Sequence, residues 1–246
     1  MMKEKISKNM RKKILIIVDP QNDFIEGGSL EVPGGKQAMI NLAEHLKDHA
    51  GDYERIIVSL DSHTPGNLGF KENWIGPKVG DIIMGRLFPK DLIKEGLVFP
   101  RDSKEDVNPV LLQPDFMCWP AHCVIGTSGH KIFKPLQDIL DQEKERVVYL
   151  TKGEDNARDC YSIFHYGDGG LTRHADPFML WEGKVDLVIS GLALDYCVFE
   201  TVKSIQELGV GESYTIPLGL TAGIRGKDIV MELYDSLSEK VKFEYR

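Results

Sequence analysis

The sequence is poor in several features that would each have pointed to a function class. Four cysteines in 246 residues are too few and too irregularly spaced for a disulfide framework. Cys118 and Cys123 also miss the C-x-x-C spacing of a redox pair or a zinc knuckle. Positive charge is in deficit, with 30 Lys and Arg against 38 Asp and Glu and a net charge of −8, which disfavours nucleic acid as a partner. No stretch approaches the roughly 18 consecutive apolar residues of a membrane span. The basic N-terminal segment (Lys3, Lys5, Lys8, Arg11, Lys12 and Lys13 against Glu4) is followed only by the short apolar run 14–18, which Asp19 ends. A secretory signal needs an apolar core of about 7–15 residues. The expectation is a cytoplasmic protein with reduced thiols, in which residues 1–12 form a flexible basic tail. No repeat, low-complexity segment or Pro/Gly/Ser-rich linker divides the rest, so residues 13–246 read as a single domain.

What is present is a 42% apolar chain in which short β-branched runs alternate with longer amphipathic segments. Strands are predicted at 13–19, 55–60, 146–150, 185–190, 213–216 and 240–243, and helices at 36–50, 131–144, 197–208 and 226–237. Continuous apolar strands alternating with helices predict a parallel six-stranded sheet covered on both faces, a three-layer α/β/α architecture. Residues 63–126 carry no such periodicity.

The polar residues that end the strands are the informative ones. Asp19 ends the first, Asp61 the second, and Lys152 follows the third. Cys197 begins the helix after the fourth. In open α/β sheets ligands bind beyond the carboxyl ends of the strands, so an acid, a second acid, a lysine and a cysteine share one rim. Cys197 is the candidate nucleophile, because a helix N-terminus and a nearby lysine both favour thiolate. Asp61-Ser-His63 places two side chains on the same side of an extended segment. With His122 as a third ligand they would leave metal coordination open, as in a catalytic site. A dinucleotide-binding reading fails for want of a G-x-G-x-x-G turn after the first strand. A non-catalytic protein that keeps the fold would be expected to lose at least one of these residues.

Five motifs in this order, Ile16-Ile-Val-Asp19-Pro-Gln21-Asn-Asp23-Phe24, Asp61-Ser-His63, Trp119-Pro-Ala-His122-Cys123, Thr151-Lys152-Gly153 and Gly191-Leu-Ala-Leu-Asp-Tyr196-Cys197-Val198, closely resemble the signatures of the nicotinamidases, within the isochorismatase-like cysteine hydrolases. The likeness spans residues 14–225 and carries a Rossmann-like topology. It implies a catalytic triad of Asp19, Lys152 and Cys197, and one divalent metal, usually zinc with iron or manganese as alternatives, on Asp61, His63 and His122. It further implies an oxyanion hole from the backbone N–H groups of Ala193 and Cys197, a cis Leu192–Ala193 peptide, and a ring-binding pocket of Phe24, Trp119 and Tyr196. The implied reaction is hydrolysis of nicotinamide to nicotinate and ammonia, in NAD salvage, with a small-molecule amide as partner, no nucleic acid and no membrane, and with homo-oligomerisation left open.

Two departures qualify the resemblance. Some relatives have a second histidine soon after Asp-x-His, whereas this chain reads Thr64-Pro-Gly-Asn-Leu-Gly-Phe70. Glu72 could act as a fourth ligand, although a solvated surface carboxylate is the favoured reading. Residues 80–117 also form a longer insertion, in which Leu87, Phe88, Leu92, Ile93, Leu97, Val98 and Phe99 could pack as a cap and alter the substrate. A cysteine hydrolase acting on another small amide or carbamoyl compound is therefore the alternative.

Overall fold

The computed structural model describes residues 11–101, 116–157, 160–164, 177–225 and 227–245. The six predicted strands are present: β1 (Lys12–Val18), β2 (Arg55–Asp61), β3 (Val147–Lys152), β4 (Val185–Leu192), β5 (Ser213–Pro217) and β6 (Val241–Glu244). They pair in the order β3-β2-β1-β4-β5-β6, parallel throughout. A seventh, two-residue strand at Thr221–Ala222 pairs with Gly191 and Leu192 at the end of β4, beyond where β5 departs. At the centre, Ile16 faces Ile57 of β2 on one side and Ile189 of β4 on the other.

The strand period of two divides the core into two layers. Leu15 and Ile17 pack under α1 (Gly35–His49) and α2 (Lys134–Gln142), against Met39, Leu42, Leu136 and Leu140. Ile14, Ile16 and Val18 face the opposite layer, which contains α3 (Cys197–Glu207) and α4 (Lys227–Asp235). Residues 14–18 are wholly buried, and each such side chain contributes about 1.5–3 kcal/mol on removal from water. Helix α2 starts later than predicted. Ile132 bridges to Gln21 instead, and Pro135 sits in the first turn, where a proline is tolerated. β1 begins at Lys12, which pairs with Val185, so this residue belongs to the sheet and not to the predicted tail. Residues 1–10 of that tail lie outside the described residues.

A satellite core of Trp74, Ile82, Phe88, Val98, Phe116 and Cys118 joins the insertion to its flanks, with Leu92 and Ile93 packed against it. Two short antiparallel pairs, Trp74–Ile75 with Phe99–Pro100 and Arg86–Leu87 with Met117–Cys118, close it. Leu87 and Phe99 were expected in this core but are exposed, at 61% and 46%. Val98, Phe99 and Pro100 alternate in, out, in, as an extended segment requires, and Phe99 takes the outward position. Residues 102–115 of the insertion lie outside the described residues.

Candidate active site

The carboxyl ends of β1, β2, β3 and β4 meet where the strand order reverses, the point at which such sheets bind ligands. Asp61 and Lys152 are register partners on the last rung of β2 and β3. Asp19 follows β1 with a positive φ of 46°, and its N–H donates to the Ser59 carbonyl at 3.2 Å and to the Ser59 Oγ at 3.1 Å. Among the described residues Cys123, beside His122, is the other non-glycine residue with positive φ, so both uncommon backbone conformations flank this site. On the far side, Gly191 has φ +114° and runs so close to β1 that a Cβ would lie 2.0 Å from the Val18 oxygen. Only glycine permits that approach, and it brings the start of α3 against the end of β1.

Here the Lys152 Nζ lies 2.9 Å from Asp19 Oδ2 and 3.1 Å from Asp61 Oδ1, and it donates to Cys197 Sγ at 3.5 Å. All four side chains are buried. Ser59 Oγ donates to Asp19 Oδ1 at 2.6 Å. Burial raises the Asp19 carboxyl above the usual carboxylate range, and the Asp61 charge adds to this, while Lys152 and Ser59 offset it in part. Burial also opposes a charged Asp61, but His63, Lys152 and the adjacent His122 imidazole outweigh it and hold this acid well below its ordinary value. Lys152 would be neutralised by burial alone; Asp19 and Asp61 instead keep it a firm cation.

Cys197 departs from the sequence-based expectation. Its position at the start of a helix favours thiolate, yet burial pushes the thiol well above its usual value, and the charges of Asp19 and Asp61 and a hydrogen bond to Asp19 add to that rise against Lys152. The resting nucleophile is a thiol that needs a base.

Asp61, His63 and His122 are buried, with ligating atoms within 4.8 Å of one another, and form the cluster of metal-binding type found among the described residues. The His122 Nδ1–H donates to the Pro120 carbonyl at 2.8 Å, and the His63 Nδ1 lies 2.8 Å from the Gly153 carbonyl. A carbonyl only accepts, so the His122 Nε2 lone pair faces inward, 3.2 Å from Asp61 Oδ2; His63 Nδ1 also meets the Asn67 Nδ2 at 3.0 Å, and its Nε2 lies 3.1 Å from the same Asp61 oxygen. A carboxylate oxygen and two imidazole nitrogens converging on one point fit a bound cation. Gly153, with φ +83°, leaves room for this: a Cβ there would lie 2.7 Å from His63 Cε1. Asp23 Oδ2 accepts the Cys123 N–H at 2.7 Å and fixes the segment that carries His122. Glu72 is exposed and outside the cluster.

The Leu192–Ala193 peptide is cis, as expected. Neither the Ala193 nor the Cys197 N–H meets an acceptor among the described residues. A narrow cavity opens onto Cys197, walled by Phe24, Trp119, Tyr196 and Tyr161. Trp119 and Tyr196 meet edge to face at 5.3 Å, and the Trp119 Nε1–H donates to the Tyr161 hydroxyl at 3.1 Å. Sequence reasoning missed Tyr161, which follows β3 in a stretch without periodicity, and Ser59, which sits inside β2. No residue of 80–101 lines this cavity.

No family model matches the sequence. The nicotinamidase of Escherichia coli (strain K12) is 32% identical over 222 residues, covering 89% of this chain and 86% of that protein. The structure of the yeast nicotinamidase Pnc1p superposes with a TM-score of 0.70 at 26% identity, covering 94% of this chain and 98% of that one. A second structure of the yeast enzyme, bound to the inhibitor nicotinaldehyde, gives 0.67 at 25% identity over 91% and 94%. A relative 32% identical over nearly the whole of both chains, carrying the same reaction name as the yeast fold neighbour, decides the matter: this chain belongs to the nicotinamidase family.

Proposed function

We propose that this protein hydrolyses nicotinamide to nicotinate and ammonia through a thioester on Cys197. The observation that carries the proposal is the shared contact of Lys152 with Asp19, Asp61 and Cys197. Asp19 accepts the Cys197 proton as the sulfur attacks the carboxamide carbon. Lys152, already cationic, stabilises the developing thiolate. The carbonyl π electrons move onto oxygen, where the N–H groups of Ala193 and Cys197 receive the negative charge. Removing one such donor typically costs about 10²–10³ in rate. Collapse breaks the C–N bond, and Asp19 returns its proton to the departing ammonia. Water then adds to the thioester with Asp19 again as base, the C–S bond breaks, and the proton goes back to sulfur.

Phe24, Trp119 and Tyr196 would hold the pyridine ring. Asp61, His63 and His122 would hold one divalent cation, with zinc the first choice for two imidazoles and a carboxylate. Bound there, it would supply Lewis-acid chemistry beside the pocket. The names of the relatives and the inhibitor bound by the yeast enzyme support this substrate over another small amide. The chain from Lys12 onward is then one cytoplasmic hydrolase domain with its insertion at 80–117. The test is ammonia release from nicotinamide by Cys197→Ala, with folding checked by circular dichroism. The variant is expected to be inactive and folded; near-wild-type release would overturn the mechanism.

A further inference from the structure

Gln21 lies in the first motif between the proposed base and the pocket wall, and the reaction as described gives it no task. Its side chain is wholly buried, and its polar groups are spent on one neighbourhood. Gln21 Oε1 accepts the Asp61 N–H at 2.7 Å, and its Nε2 donates to the Asp61 carbonyl at 2.7 Å and to the His130 carbonyl at 2.9 Å. The pattern follows from the sheet. β1 leaves the ladder at Asp19, so the side of Asp61 that faces it has lost its strand partner, while the neighbouring rung still pairs with β3 through Ser62 N–H and the Lys152 carbonyl at 2.7 Å. A glutamine amide offers the donor and acceptor that a strand residue would have offered.

We infer that Gln21 is a positioning residue for the metal centre: its side chain stands in for the missing strand and fixes the backbone of Asp61, and with it the carboxylate shared by Lys152, His63 and His122. The inference rests on the metal reading above. Metal–ligand distances tolerate only about ±0.2 Å, and Asp61 Oδ1 and Oδ2 serve two partner sets at once. A shift of its backbone therefore disturbs the ligand geometry and the triad together. Loss of a group that orients a ligand typically weakens metal binding about 10–100-fold.

The test measures zinc affinity by competition with a chromophoric chelator, in wild type, Gln21→Ala and the volume-preserving Gln21→Met. Both variants are expected to bind zinc about 10–100-fold more weakly and, loaded with cobalt, to show an altered visible spectrum. Wild-type affinity and spectrum in either folded variant overturn the inference. A second measurement needs no variant: in zinc-stripped wild type, hydrogen exchange at the Asp61 N–H is expected to stay slow, because Gln21 holds it before metal arrives. Exchange at unprotected rates also overturns it. Wild-type protein that retains no zinc at all defeats the metal reading itself, an outcome distinct from zinc held equally well with and without Gln21.

Discussion

Lys152 places one ammonium 2.9 Å from Asp19 and 3.5 Å from the sulfur of Cys197, and all three side chains are buried. Replacing it with methionine keeps an unbranched side chain one heavy atom shorter and removes the charge, leaving two buried carboxylates without their cation. Lys152→Met is expected to lose activity by about 10²-fold or more and to destabilise the fold by about 3–5 kcal/mol. Kinetics and urea unfolding check the two parts separately. A fully stable variant would mean that the ion pairs contribute little.

Asp19 must be ionised to take the thiol proton, and burial raises its carboxyl above the usual range. Falling pH protonates the base and stops the reaction, and the raised value moves that loss upward. The acid limb of kcat/KM is therefore expected above the ordinary aspartate midpoint of about pH 4. Asp19→Asn should lower kcat about 10²–10⁴-fold and abolish the limb. An acid limb at or below the ordinary value would remove Asp19 as the base.

Chelation is expected to remove turnover, and added zinc to restore it. His122→Ala should leave the triad in place yet lower metal retention, read as bound zinc per chain by elemental analysis. A fully active preparation without metal would take Asp61, His63 and His122 out of the mechanism.

Tyr161→Phe deletes the acceptor of the Trp119 indole N–H. A buried donor left without a partner costs about 1–3 kcal/mol, and the indole is then free to turn. The expected result is a higher KM for nicotinamide with kcat nearly unchanged, from initial rates over a range of substrate. A change in kcat alone would place Tyr161 in the chemistry and not in the pocket wall.

The sheet and its rim were legible in the sequence because local signals sufficed. Apolar runs mark β1 to β6, and the residue that stops each run falls on the rim by construction. The roles of Gln21, Ser59 and Tyr161 were not legible, because each depends on a contact with a distant segment. The burial of Cys197 was not legible for a related reason: position on a helix can be read locally, whereas depth of burial cannot. Thr221–Ala222 is too short to produce a periodic signal, and Leu87 and Phe99 look like core residues until their strands fix which way they point.

The strand order has a consequence for how the protein is made. β1 is synthesised well before β4, its neighbour on one side, so the sheet's centre stays half-paired until residues 185–192 have emerged. Base and nucleophile flank that late-formed seam. Any fragment ending before Val185 therefore lacks both the seam and the nucleophile, and catalytic competence can appear only when this long-range pairing closes, a slow class of event in folding.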